Sequence, residues 1–260
     1  MKNALATFMI LLACWPADVV SQAPASNLLI DREFWRAQPS LSEVQDRVRA
    51  GDDPAALNKY DFDALSFALI EDAPLEVLRY LLTFDGNGVN KLTHDARTYV
   101  FWAAYRDNLL FVQELHALGA DLSIVDEHGY SLLNFAAVTG QTNEALYQYL
   151  EDQGADPANE VNHDGARAML LLAPFLRDWD MVRHFETLGL SLLDKDKNGA
   201  SGFLYACKGG NVEFLRRLVA KGMDVDSIDN LGRNGVHYAA MSTRRPVSYT
   251  HLTLPTMFEV

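Results

Sequence analysis

Three histidines raise the question of metal chemistry. His94, His128 and His163 recur at steps of 34 and 35 residues, beside Asp95, Asp126 and Asp164. Imidazoles and carboxylates repeated in this way could form a ladder of zinc-type sites. Distance argues against a shared centre. Units that repeat at this interval stack at helix-packing distance, about 8–10 Å, whereas zinc holds its ligands about 2 Å away. The three histidines are therefore read as hydrogen-bonding turn residues. A second candidate is DKDKNG at Asp194–Gly199, which begins like a loop of alternating oxygen ligands for calcium. Its twelfth position is Tyr205 instead of the bidentate glutamate such a loop needs. The sequence contains no Gly-rich phosphate loop, HExxH, GxSxG or paired-cysteine motif, and GNG at Gly86–Gly88 reads as a turn. No cofactor, metal or catalytic set is expected.

Composition narrows the field. The 260 residues are 49% hydrophobic, 10% aromatic and 22% charged, enough for one sizeable core or an extended array. The formal charge of −13 would repel phosphates, which argues against a nucleic-acid partner. The N-terminus reads as a secretory signal peptide over residues 1–25. Lys2 supplies the charge, Ala4–Cys14 the apolar run, and Ala23-Pro24-Ala25 the small-residue cleavage site. That run is too short to span a bilayer. LLAC ending at Cys14 also resembles a lipobox, which makes a lipid anchor at Cys14 the alternative. Cleavage after Ala25 would leave only Cys207, so no internal disulfide is expected. Cys207 lies in an apolar helical stretch and reads as a small buried hydrophobe.

The elements that hold these residues recur. The positions Leu69, Ala104, Ala137, Ala173, Cys207 and Ala240, each the second residue of a small apolar pair or its equivalent, are separated by 35, 33, 36, 34 and 33 residues. Gly119, Gly154, Gly189 and Gly222 keep the same period, at 35, 35 and 33. Each unit opens with a turn closing on glycine: Gly129, Gly165, Gly199 or Gly232. A short apolar helix follows, then a polar break, then a longer helix with i, i+3, i+4 spacing such as Val212, Leu215 and Leu218. The second glycine stands where a helix C-cap wants it.

This layout resembles the ankyrin repeat, and the resemblance covers about residues 35–242. It implies an all-α ankyrin-repeat solenoid of helix-turn-helix units, stacked with short β-turn fingers. The family's Thr-Pro-Leu-His box is eroded: Ser66, Phe101, Asn134, Leu170 and Leu204 stand at the histidine place, and only His237 keeps it. Pro39–Pro54 resembles half of a capping repeat. GNGVNKLTHDARTYVFWAAYRDN, HGYSLLNFAAVTGQ and NHDGARAMLLLAPFLRD resemble exported bacterial ankyrin-repeat proteins, which are generally longer. The organisation expected is a signal peptide at 1–25, a linker and capping half-repeat at 26–57, and about six repeats at 58–242, the last incomplete. The tail at 243–260, with SYTHLTLPT, resembles translated read-through at the end of a truncated reading frame.

The resemblance also implies where a partner would sit: on the turn tips and the concave face of the first helices. The matching positions are Arg97, Tyr105, Arg106, Tyr130, Val138, Thr139, Phe175, Lys208 and Arg233. Tyr and Arg are favoured at binding hot spots, and the basic members suit an acidic partner surface. Packing against adjacent turns is the alternative role for Tyr105 and Phe175. Trp102, Phe135 and Tyr205 share the slot before the small pair and read as core, as do Phe111, Phe185 and Phe214, with Trp35 closing the N-terminal end. The leading expectation is a non-enzymatic protein-binding module, periplasmic or lipid-anchored in a bacterial envelope. The alternatives are the repeat part of a longer enzyme, or a structural or stress-protective envelope protein.

Overall fold

A computed structural model of the chain describes residues 27–241. The expectations for the signal peptide, Cys14 and the tail at 243–260 lie outside these residues. The described chain begins with a short 3-10 turn, α1 (Arg32–Arg36) and α2 (Leu41–Arg49). Helix pairs follow: α3 (Ala64–Ile70) with α4 (Leu75–Leu82), α5 (Tyr99–Tyr105) with α6 (Leu109–Ala117), and α7 (Leu132–Thr139) with α8 (Glu144–Asp152). Two further pairs are α9 (Ala168–Leu172) with α10 (Asp180–Thr187), and α11 (Gly202–Gly209) with α12 (Val212–Ala220). A last first-type helix, α13 (Gly235–Ala240), closes the described chain.

Local sequence sets the helix ends. Asp63, Ser131 and Asn234 cap first-type helices by accepting from backbone N–H groups one turn ahead. Asn108, Asn143 and Asn211 do the same for second-type helices. Two of these asparagines also reach back one repeat, Asn143 donating to Asp107 Oδ1 (2.9 Å) and Asn211 to the Leu176 carbonyl (3.3 Å). The second-type helices then stop at Gly119, Gly154, Gly189 and Gly222, all at positive φ between 81° and 103°.

The first-type helices form the central layer, in the order α3, α5, α7, α9, α11, α13, each packed on the next. They are apolar on nearly every side; all of α3, and α5 from Tyr99 to Ala104, are buried. The pairs Ala103–Ala104 and Ala136–Ala137 are fully buried and admit the neighbouring backbone closely. At the N-terminal end α2 packs on α4, and Trp35 is fully buried, its indole donating to the Leu29 carbonyl (2.8 Å). In the fourth repeat the sequence suggests a helix of about eight residues. The helix instead ends at Leu172 and tightens into a 3-10 turn over Ala173–Phe175. Pro174 is the reason, since it has no N–H to continue the ladder.

Candidate partner-binding face

The fingers between repeats are built by one device. At Asp126, Asn162, Asp196 and Asp229 a side-chain oxygen accepts from the backbone N–H groups two and four residues ahead, at 2.8–3.0 Å. Three residues on, a glycine takes φ between 73° and 78°. Successive tips are joined by backbone: Glu127 N–H donates to the Asp95 carbonyl (3.1 Å), Lys197 to Asp164 (2.8 Å) and Asn230 to Asn198 (2.8 Å). The turn at Asn58 uses the same two bonds, at 2.9 and 3.1 Å, with Asp61 at φ 60° in the glycine place, and the finger at Thr93 departs from the pattern, with Thr93 in the acidic position and Ala96 at φ 56°.

Three fingers are also tied to their own helix. Tyr205 donates to Asp196 Oδ2 (3.0 Å), and Tyr238 to Asp229 Oδ2 (2.9 Å). In the finger at Thr93, Trp102 Nε1 donates to Thr93 Oγ1 (2.8 Å). The ring slot before the small pair is therefore core, as its sequence suggests, with a polar anchor added. Burial raises the Tyr205 phenol well above its ordinary range and the Tyr238 phenol to about 12. At Asp229 burial pushes the carboxyl upward, but hydrogen bonds from Arg233, Tyr238 and Leu231 outweigh it and hold the group at about 2.

Phe135 fills the same slot without a donor, and there Arg97 substitutes. Arg97 donates to Asp126 Oδ2 from Nε and Nη2, both at 2.8 Å, and to Asp95 at 2.9 Å. Its guanidinium lies 4.6 Å from the Phe135 ring centroid and 5.4 Å from that of Trp102. Only 9% exposed, Arg97 staples two repeats together. Sequence position put it on the surface; its partner, 29 residues on, draws it inside.

The other sequence-derived positions spread along the inner face. Tyr105, Tyr130, Val138, Thr139, Phe175, Lys208 and Arg233 are half-buried, and Arg106 is exposed. Arg106 donates to the Ile70 carbonyl one repeat back and lies 5.5 Å from the Tyr105 ring centroid. Phe175 packs over Gly140, where a Cβ would lie 2.1 Å from its ring. Arg233 is held by Asp229 at 2.6 Å. Lys208 rests on two tyrosine rings, 4.2 Å from the centroid of Tyr205 and 5.2 Å from that of Tyr238.

The tip histidines meet neighbours within the array. His94 stacks on Phe62 with centroids 4.5 Å apart, and its Nδ1 lies 2.9 Å from the Tyr60 carbonyl. His94 and His128 flank Asp95 at 3.4 and 3.2 Å, and the His163 ring lies against Gly129. Asp194 and Asp196 point into their own turn, accepting from Ser191 N–H and from Asn198 and Ala200 N–H. Among the described residues, no three His, Cys, Asp or Glu side chains converge where an ion could sit. Burial raises the Cys207 thiol to about 12, which keeps it protonated and unreactive.

A recess of about 370 Å³ opens between the second and third repeats, lined in part by His116, Asp121, Val125, Ser131, Leu133 and Glu160. Its polar groups are paired already: His116 with the Tyr149 hydroxyl (2.8 Å), Asp121 with Ser123 (2.6 Å), and Ser131 with Glu160.

The face carries a second regular feature. The residue before each finger turn is apolar and exposed: Leu57 (42%), Leu92 (57%), Val125 (56%), Val161 (44%) and Ile228 (59%). Lys195 occupies the remaining position. The steps from Leu57 to Ile228, through Lys195, are 35, 33, 36, 34 and 33. The signal lay in the same register as the small pairs, at a position whose exposure the periodicity of the helices does not report.

A stack of helix pairs with projecting fingers and a regular exposed face defines a helical-repeat interaction scaffold. The family model for "Ankyrin repeats (many copies)" matches residues 185–249. A 60-residue stretch, 23% of the chain, is 40% identical to the palmitoyltransferase AKR1 of Saccharomyces cerevisiae, of which it spans 8%. The fold is similar, at TM-score 0.56 and 21% identity, to one chain of the solved complex between the Bd0816 predatory endopeptidase from Bdellovibrio bacteriovorus and immunity protein Bd3460. That likeness covers 75% of this chain and 98% of the other. The family model marks ankyrin repeats at residues 185–249, and such repeats form a protein–protein interaction fold that is generally non-catalytic.

Proposed function

We propose that the protein is a non-enzymatic module of a bacterial cell envelope that binds a protein partner along its fingers and inner helix face. The exposed apolar stripe Leu57, Leu92, Val125, Val161 and Ile228 carries the reading. Single exposed apolar residues mean little. Five at one structural address give a partner a line of contacts, spaced by the stacking distance of about 8–10 Å. Rigid stacking fixes this surface beforehand, so little conformational entropy is lost on association. Export is supported by the charged and then apolar N-terminal sequence, Lys2 to Cys14, and by phrases that resemble those of exported repeat proteins. The acyltransferase activity in the name of the yeast relative forms no part of the reading, since the match spans 8% of that protein.

Replacing Leu92, Val125 and Val161 together with aspartate tests this reading. The tagged wild-type chain should retain a partner from an envelope extract of the source cells, and the triple variant should lose it. A control with Leu110 and Leu118, exposed on and just beyond α6, changed to aspartate should keep it. Retention by the triple variant, or recovery of nothing by the wild type, contradicts the reading.

A further inference from the structure

We propose that the partner contacts the fifth repeat through acidic side chains, one received by Lys208 and another by Lys195. This rests on the partner-binding reading and adds the chemistry of one contact.

Two observations coincide in this repeat. The stripe is apolar at its other five positions and changes to Lys195 only here. Lys195 is exposed, and its ammonium has neither an ion pair nor a hydrogen bond within the described residues. An apolar partner surface would leave it desolvated and uncompensated, a costly arrangement. A carboxylate opposite it removes that cost.

Lys208 points the same way. It is half-buried on α11, and its ammonium lies over the faces of Tyr205 and Tyr238 without an ion pair or hydrogen bond. The other sheltered cations in the array have carboxylates: Arg47 on Asp52, Lys91 on Asp63, Arg97 on Asp126 and Arg233 on Asp229. Burial lowers the Lys208 pKa, Asp196 and Asp164 oppose it from beyond pairing distance, and the Arg233 charge adds to the lowering. The ring faces favour the charged amine. The rings are themselves fixed, because both phenols are bound to finger carboxylates. The result is a positioned ammonium with no carboxylate paired to it among the described residues. On a chain of formal charge −13, an acidic segment is repelled over most of the surface. A local exception therefore sets the register of the partner more than it adds bulk attraction.

The test uses fluorescein-labelled hexaglutamate and hexaglutamine peptides, followed by fluorescence anisotropy at low ionic strength on the full chain. Hexaglutamate should bind, and hexaglutamine should bind about tenfold more weakly or worse. Lys208→Met should weaken hexaglutamate binding about tenfold, and Lys195→Met several-fold. Lys208→Arg, which keeps the charge, should stay within about threefold of wild type. Lys221→Met is the control, since that residue lies on the Trp179 ring at the end of α12 and should change nothing. Melting curves establish that each variant is folded. Equal binding of the two peptides, no binding of hexaglutamate, or unchanged affinity in Lys208→Met overturns the acidic contact. The stripe experiment above is unaffected by that result, so failure of the contact and failure of the partner reading are separable.

Discussion

Asp63 is fully buried at the start of α3, and its carboxylate organises the polar interior of the first repeat. It caps its helix through Ser66 N–H (2.8 Å) and accepts from Lys91 Nζ (2.7 Å) and the Tyr99 hydroxyl (2.6 Å). Asn87 Oδ1 closes the network, 3.1 Å from Lys91 Nζ and 3.2 Å from the Tyr99 hydroxyl. Burial, with the nearby Asp63 charge, raises the Tyr99 phenol far above its ordinary range, so it donates and never ionises. Removing the cation leaves a buried charge unpaired, whereas removing the phenol hydroxyl loses one hydrogen bond of several. Lys91→Met should therefore cost about 3–5 kcal/mol, and Tyr99→Phe about 1–2 kcal/mol, both read from urea unfolding. Equal losses would mean that the ion pair adds nothing beyond the hydrogen bonds. None of this network could be read in the sequence, because its members lie 4 to 36 residues apart and differ in type. Arg97 shows the same limit: its type and slot suggested an exposed contact, and the acid that buries it belongs to the next repeat.

The helices were far more legible, because stacking imposes one period on small pairs and terminal glycines alike. What the period does not carry is how each repeat bends its unit. Pro174 shortens α9, and the turn after it approaches α11 so closely that a Cβ on Gly209 would lie 1.8 Å from the Pro174 carbonyl oxygen. Gly209→Ala must push the two repeats apart and should destabilise the array by about 3 kcal/mol. Ala96 is the opposite case. It holds φ 56° in a finger whose counterparts from Gly129 onward are glycine, a conformation that strains an L side chain. Ala96→Gly should stabilise by about 1 kcal/mol. Thermal and urea unfolding of the two variants check both signs; a stabilised Gly209→Ala would mean that the contact with Pro174 is looser than described.

At the scale of the whole molecule, each repeat rests mainly on its neighbours, and the surface is a product of repetition. One exposed residue per unit becomes a line only when the units stack, which is why the stripe was hidden in a sequence whose fold was plain. The candidate site was legible in part: Lys208 and the inner-face tyrosines were marked by type and slot, while Leu92, Val125 and Val161 were not. Acidic charge over the chain and a local unpaired lysine pair divide the surface into repelling and receiving regions. The most direct measurement is a scan with a photo-activated cross-linking residue, placed singly through positions 85–130 and 155–200 of the full chain in its source cells. Adducts to one partner should peak at positions 92, 125 and 161 and in the fifth repeat near 195, with little at the outer positions 110 and 118. Adducts spread evenly through the scan, or concentrated on the outer helices, would contradict a partner bound along the fingers.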